Sequence, residues 1–106
     1  MKAKNIKIVQ NLKIRLKNIF PDLDKIYFFG SQLYSSLVAS DFDVLLIFNR
    51  EVDWKFEDTV LDVVYKESLE KDVVFDVKIY SKTLFESSLY QSMPFISHVL
   101  QTGRVI

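Results

Sequence analysis

Two aspartates separated by a single residue, Asp41-Phe42-Asp43, stand at the head of the most apolar run in the chain, Phe42 to Phe48. In a strand, residues i and i+2 project to the same side, so both carboxylates would share one face while Phe42 enters the core. Neighbouring carboxylates repel unless positive charge neutralises them, and a hard divalent cation such as Mg²⁺ does that through oxygen ligands. A third carboxylate, Asp76, interrupts the run Val-Val-Phe-Asp-Val-Lys-Ile-Tyr; an ionised side chain inside an apolar stretch is the informative kind of exception. Gly30-Ser31 follows a short aromatic run. A glycine there removes the Cβ that would obstruct a ligand, and a helix opening at Ser31 would offer unpaired N–H groups to a phosphate.

Combined, these parts fit phosphoryl-type transfer. Two metal ions about 3.5–4 Å apart can clamp the attacking and leaving oxygens of such a reaction. Asp41 and Asp43 would bridge them, and Asp76 would bind the second ion and orient or deprotonate an acceptor hydroxyl. Ser31 and the amides beside it would hold the β- and γ-phosphates of the donor. Taken singly, each feature has a plainer reading as well. Gly30-Ser31 is a common turn, Asp41 and Asp43 could be the solvated start of a strand, and Asp76 could lie on the wet face of an edge strand beside Lys78 and Tyr80.

The elements that must position these residues can be read from periodicity. Apolar positions at Ile8, Leu12 and Ile19, and at Val9, Leu16 and Phe20, describe a helix from about Lys4 to Phe20, ended by Pro21. Lys25 to Phe29 reads as a buried strand, and Gln32 to Leu37 as a short helical turn. Phe42 to Phe48 is apolar on both faces and belongs in the centre of a sheet. Asp53 is a suitable N-cap for a helix over Trp54 to Glu70, with Phe56, Val60, Val63 and Val64 as its buried stripe. Asp72 to Tyr80 alternates, with Val73, Phe75, Val77 and Ile79 on one face and Val74, Asp76, Lys78 and Tyr80 on the other. Ser81 caps a short helix, and another runs from Pro94 to Gln101 with Gly103 as its stop. Arg104 to Ile106 is a last strand or a frayed end. The order predicts an α+β domain, close to α/β, with a small mixed sheet flanked by helices.

The 106 residues are sufficient for one domain, residues 1–106, and too few for two independent cores. Fourteen basic residues cancel fourteen acidic ones, so the excess positive charge behind non-specific nucleic-acid binding is missing. The basic residues Lys2, Lys4, Lys7, Lys13, Arg15 and Lys17 read as the solvated face of the first helix. The chain has no cysteine, which excludes disulfides and thiolate metal sites. It shows neither a signal-like apolar stretch nor a membrane-length one, and the expectation is a soluble cytoplasmic protein. His98, the single histidine, reads as structural or surface, Trp54 as packing, and Tyr27, Tyr65 and Tyr90 as core or rim. Lys78 is suited either to a triphosphate or to an ion pair with a carboxylate.

The segments Phe-Phe-Gly-Ser-Gln and Ser-Asp-Phe-Asp-Val-Leu-Leu-Ile-Phe, with Asp76 on a later strand and a closing Gly-Arg-Val-Ile, together resemble the minimal nucleotidyltransferases of the DNA polymerase beta-like superfamily. The resemblance covers nearly the whole chain. It implies a catalytic and metal-binding trio Asp41, Asp43 and Asp76, and a donor-binding turn Gly30, Ser31 and Gln32. It also implies two Mg²⁺ ions as cofactor, with ATP or another nucleoside triphosphate as donor. Many members look like antitoxins that transfer AMP to a tyrosine of a helical HEPN-type partner. Gln32 stands where the family often carries arginine, and the spacer Gln32 to Ser40 is one residue short of the usual length and has no glycine. That departure keeps a second reading open, a weakly active or inactive module that neutralises its partner by contact. A third reading is transfer to a small molecule or an RNA end. Self-association is also left open by the sequence.

Overall fold

The computed structural model describes residues 3–34 and 41–106. Helix α1 (Ala3–Ile19) leads into strand β1 (Leu23–Phe29), a single helical turn α2 (Ser31–Tyr34), strand β2 (Phe42–Phe48), helix α3 (Trp54–Lys71) and strand β3 (Phe75–Ser81). Short helices α4 (Lys82–Phe85) and α5 (Ser88–Gln91), helix α6 (Pro94–Thr102) and the two-residue strand β4 (Arg104–Val105) complete the chain. The sheet order is β3-β2-β1-β4. β1 runs antiparallel to β2 and β4, while β2 and β3 are parallel. The expected mixed sheet flanked by helices is therefore present.

Side-chain alternation along the central strands divides the core into two layers. Phe42, Val44, Leu46 and Phe48 face α1 and α3, where they meet Val9, Leu12, Leu16, Val60 and Val64. Phe20, Phe48 and Phe56 close this layer edge to face, with ring centroids 4.9–6.2 Å apart, a favoured aromatic arrangement. Leu45 and Ile47 face the opposite way, onto Tyr27, Phe85 of α4 and Ile96 and Val99 of α6. β2 is thus covered on both sides, as its unbroken apolar run requires.

Local chemistry fixes the ends of α3. Asp53 accepts a hydrogen bond from the Phe56 N–H (2.8 Å), satisfying one of the first-turn amides. Asp53→Ala should lower stability by about 1 kcal/mol, readable as a fall in the urea midpoint with unchanged slope. At the other end Asp72 adopts a left-handed conformation (φ 55°), and the Asp72 and Val73 amides both bond to the Ser68 carbonyl. That turn delays β3 to Phe75, three residues after the start expected from alternation.

Other expectations need correction in detail. Ile19 is half exposed (51%), because the buried stripe of α1 runs through Asn5, Val9, Leu12 and Leu16. Trp54 is 71% exposed, with Lys55 over its ring, and so is not a packing residue. Tyr65 is likewise exposed, whereas Tyr27 is buried. The basic residues of α1 are partly committed: Lys13 donates to the Ile106 carbonyl, Lys17 to those of Pro21 and Leu23, and Arg15 to Glu67 and Glu70. The part of the expected turn beyond Tyr34, through Leu37, and the rest of the spacer up to Ser40 lie outside the described residues. Among the described residues no helix is long and apolar enough to cross a membrane.

Candidate functional site

The site forms where three strand ends meet. β1 runs antiparallel to β2 and β3 runs parallel to it, so the end of β1 and the beginnings of β2 and β3 lie at one edge of the domain. Phe29 pairs with Asp43, and Asp43 pairs with Asp76. Directly registered residues on adjacent strands project to the same face, which here is the face carrying Leu45, Ile47 and α6. The two aspartates far apart in sequence are therefore immediate neighbours. Asp41 lies just ahead of β2 and is exposed.

Gly30 borders Asp43 from the other side. Its φ is +83°, a conformation that L side chains rarely adopt, and a Cβ at this position would collide with the Asp43 carboxylate. The glycine thus serves two purposes: it permits the turn out of β1, and it leaves room for Asp43 to project into the site. Ser31 opens α2 and is exposed. Gln32 is buried, and the Asn5 side-chain amide of α1 donates to both its main-chain carbonyl (2.8 Å) and its side-chain oxygen (3.1 Å). The turn is in this way tied to α1 by Asn5, which sequence reading did not single out. Its signal was present: Asn5 is a polar residue on the stripe continued by Val9, Leu12 and Leu16.

The electrostatics follow from this crowding. Partial burial pushes the Asp43 carboxyl above the usual carboxylate range, and the negative charges of Asp76 and Asp41 push it further. Lys78 acts in the opposite direction; its Nζ lies 3.5 Å from Asp76 Oδ1, with both side chains about half exposed (49%). Of the two roles read for Lys78, the ion pair is the one seen. Among the described residues no three acidic or histidine side chains are already gathered into a metal cage. The donor set nevertheless fits a hard divalent cation: carboxylate oxygens are the ligands such ions take, and the raised Asp43 carboxyl marks a place where added positive charge is favoured. His98 is exposed on α6, consistent with a surface role.

No protein-family model matches the chain, and no curated protein matches it.

Proposed function

We propose that this chain is a Mg²⁺-dependent nucleotidyltransferase that transfers a nucleoside monophosphate, AMP from ATP, to a hydroxyl group. The acceptor in this reading is a tyrosine of a HEPN-type helical protein, and the chain is the antitoxin of that pair. The observation that carries the reading is the register of β2 and β3, which sets Asp43 beside Asp76, with Gly30 shaped to admit Asp43.

Asp41, Asp43 and Asp76 would hold the metal ions, which supply charge neutralisation and polarise the donor phosphates. Gly30 and Ser31 would receive the donor's outer phosphates. The acceptor oxygen bonds to the α-phosphorus, the bond from that phosphorus to the bridging oxygen breaks, and pyrophosphate leaves. Asp76 is the carboxylate we assign to orient the acceptor hydroxyl and take its proton, its side chain being more exposed than that of Asp43.

Isothermal titration with ATP, with and without Mg²⁺, tests the donor site. Binding that needs Mg²⁺ and is abolished in an Asp41→Asn, Asp43→Asn double variant is the expected result. Equal binding by the double variant would remove the basis for the assignment. The contact-only reading draws on one observation, the engagement of Gln32 by Asn5 where the family often presents arginine. It requires that the double variant still neutralise the partner.

A further inference from the structure

β3 closes one side of the sheet, and no other strand among the described residues pairs with its outer edge. The Phe42 N–H bonds to the Val74 carbonyl (2.8 Å), and the parallel register pairs Phe42 with Phe75 and Asp43 with Asp76. Val74, Asp76 and Lys78 therefore direct their main-chain groups towards β2, and Phe75, Val77 and Ile79 direct theirs outward. Beside this open edge lies an apolar cleft of about 530 Å³ between α3 and β3. Leu61, Tyr65 and Leu69, spaced four apart, line it from α3, and Val74 lines it from the start of the strand. All four are exposed, Tyr65, Leu69 and Val74 by 60% or more. An apolar stripe continuous with an unpaired strand edge is the mark of an association surface.

We propose that this surface binds a second copy of the chain, with β3 pairing antiparallel to β3 of the other copy across a two-fold axis at Val77. A two-fold contact is self-complementary, so its register is restricted. Centring it on Asp76 sets that carboxylate against itself, and centring it on Lys78 sets two ammonium groups together. Centring it on Val77 places Asp76 of each copy opposite Lys78 of the other, in both halves of the contact. Val77 then pairs with its counterpart, and Phe75 with Ile79, as hydrogen-bonded pairs formed by the outward-directed main-chain groups. Asp76 and Lys78 fall at a non-hydrogen-bonded pair, where side chains approach most closely. Charged residues on an edge strand ordinarily guard against pairing; in this register the guard becomes a match that admits only the same sequence. On the other face of the sheet, the Leu61, Tyr65 and Leu69 stripes of the two α3 helices meet over the paired edges. The contact also brings Lys78 of the second copy beside Asp76 of the candidate site. The proposal stands on the edge geometry and does not rest on the enzymatic reading.

Sedimentation equilibrium of the full chain over micromolar concentrations tests it, with far-UV circular dichroism confirming that each variant is folded. The expected mass for the unaltered chain is twice 12.5 kDa. Tyr65→Lys with Leu69→Lys, both at exposed positions, should give monomers. Asp76→Lys alone and Lys78→Asp alone should each weaken the dimer by about tenfold or more, since two cross-strand pairs become repulsive. Combining the two should restore it, because the charges are again matched. A chain that is monomeric at every concentration, a dimer indifferent to these changes, or a double swap no stronger than the single ones would overturn the proposal.

Discussion

Gly30→Ala should leave a folded but weakened protein in which Mg²⁺ no longer raises the melting temperature. Two effects combine. The positive φ of +83° costs a residue with a Cβ about 1–2 kcal/mol. The new methyl group also falls on the Asp43 carboxylate, with the Asp43 Cγ at 3.1 Å and its Cβ at 3.3 Å. An aspartate side chain can rotate, so the overlap does not prevent folding. It is relieved by turning the Asp43 carboxylate away from Gly30, and that rotation takes it out of its place in the carboxylate pair. For a domain near this size each kcal/mol shifts the melting temperature by roughly 4–8 °C, so a fall on the order of 10 °C is expected. Differential scanning fluorimetry with and without Mg²⁺ separates the two effects. A lowered melting temperature with an intact Mg²⁺ response would show that Gly30 matters to the turn alone and not to the site.

The contrast between Gly30 and Gln32 shows how far a sequence can be read. Gly30 occupies a position where only backbone freedom and absent volume matter, and its residue type announces both. Only the resemblance puts Gln32 in a donor turn, and its side-chain oxygen accepts a bond from Asn5, 27 residues earlier. No local pattern encodes that contact. The same division holds for the strands. β2 was legible to the residue because burial on both faces leaves an uninterrupted apolar run. The start of β3 was not, because Asp72 and Val73 fit the alternation but are held in the C-terminal turn of α3 by the Ser68 carbonyl. α5 was missed because its four residues are too few to show a period, and its start depends on the hydroxyl of Ser87 accepting from Tyr90.

Asp43 and Asp76 are legible as candidates from their own strands, but their adjacency is implied only by the family resemblance and not by the residue pattern. Alternation assigns each side chain to a face of its own strand and says nothing of which strands are neighbours or in what register. The parallel β2–β3 pairing supplies both. Glu67 is a comparable case. It continues the α3 stripe of Phe56, Val60 and Val64 into the core, where Arg15 of α1 meets one carboxylate oxygen at 3.0 Å and the other has no hydrogen-bond partner. A polar residue on a buried stripe, like Asn5, signals an interhelical contact whose partner only the fold reveals.

Asp43→Asn should abolish transfer while making the metal-free protein more stable at neutral pH. The sign follows from linkage. Burial, Asp76 and Asp41 raise the Asp43 carboxyl in the fold above its unfolded value, so over that interval the native state binds more protons than the unfolded state. Stability then falls as pH rises from the ordinary carboxylate range through the raised value, and the loss persists at pH 7. A neutral amide of nearly the same shape removes the repulsion, so the variant should melt higher than the unaltered chain at pH 7. The difference should shrink as the pH is lowered below the usual carboxylate range, where Asp43 is protonated in both states. Mg²⁺ should reverse the order, since a cation that binds only the native state stabilises it in proportion to its occupancy, and the amide cannot supply the anionic ligand. AMP transfer should fall by at least about a hundredfold, because even residues that merely support metal ligands are worth 10–100-fold in affinity or activity. Melting curves at pH 4 to 8 with and without Mg²⁺, beside a radiolabelled ATP transfer assay, read all three effects. A variant less stable than its parent at pH 7 without metal would show that Asp43 is held by stabilising contacts, and that the strained carboxylate pair on which a cation site depends is not there.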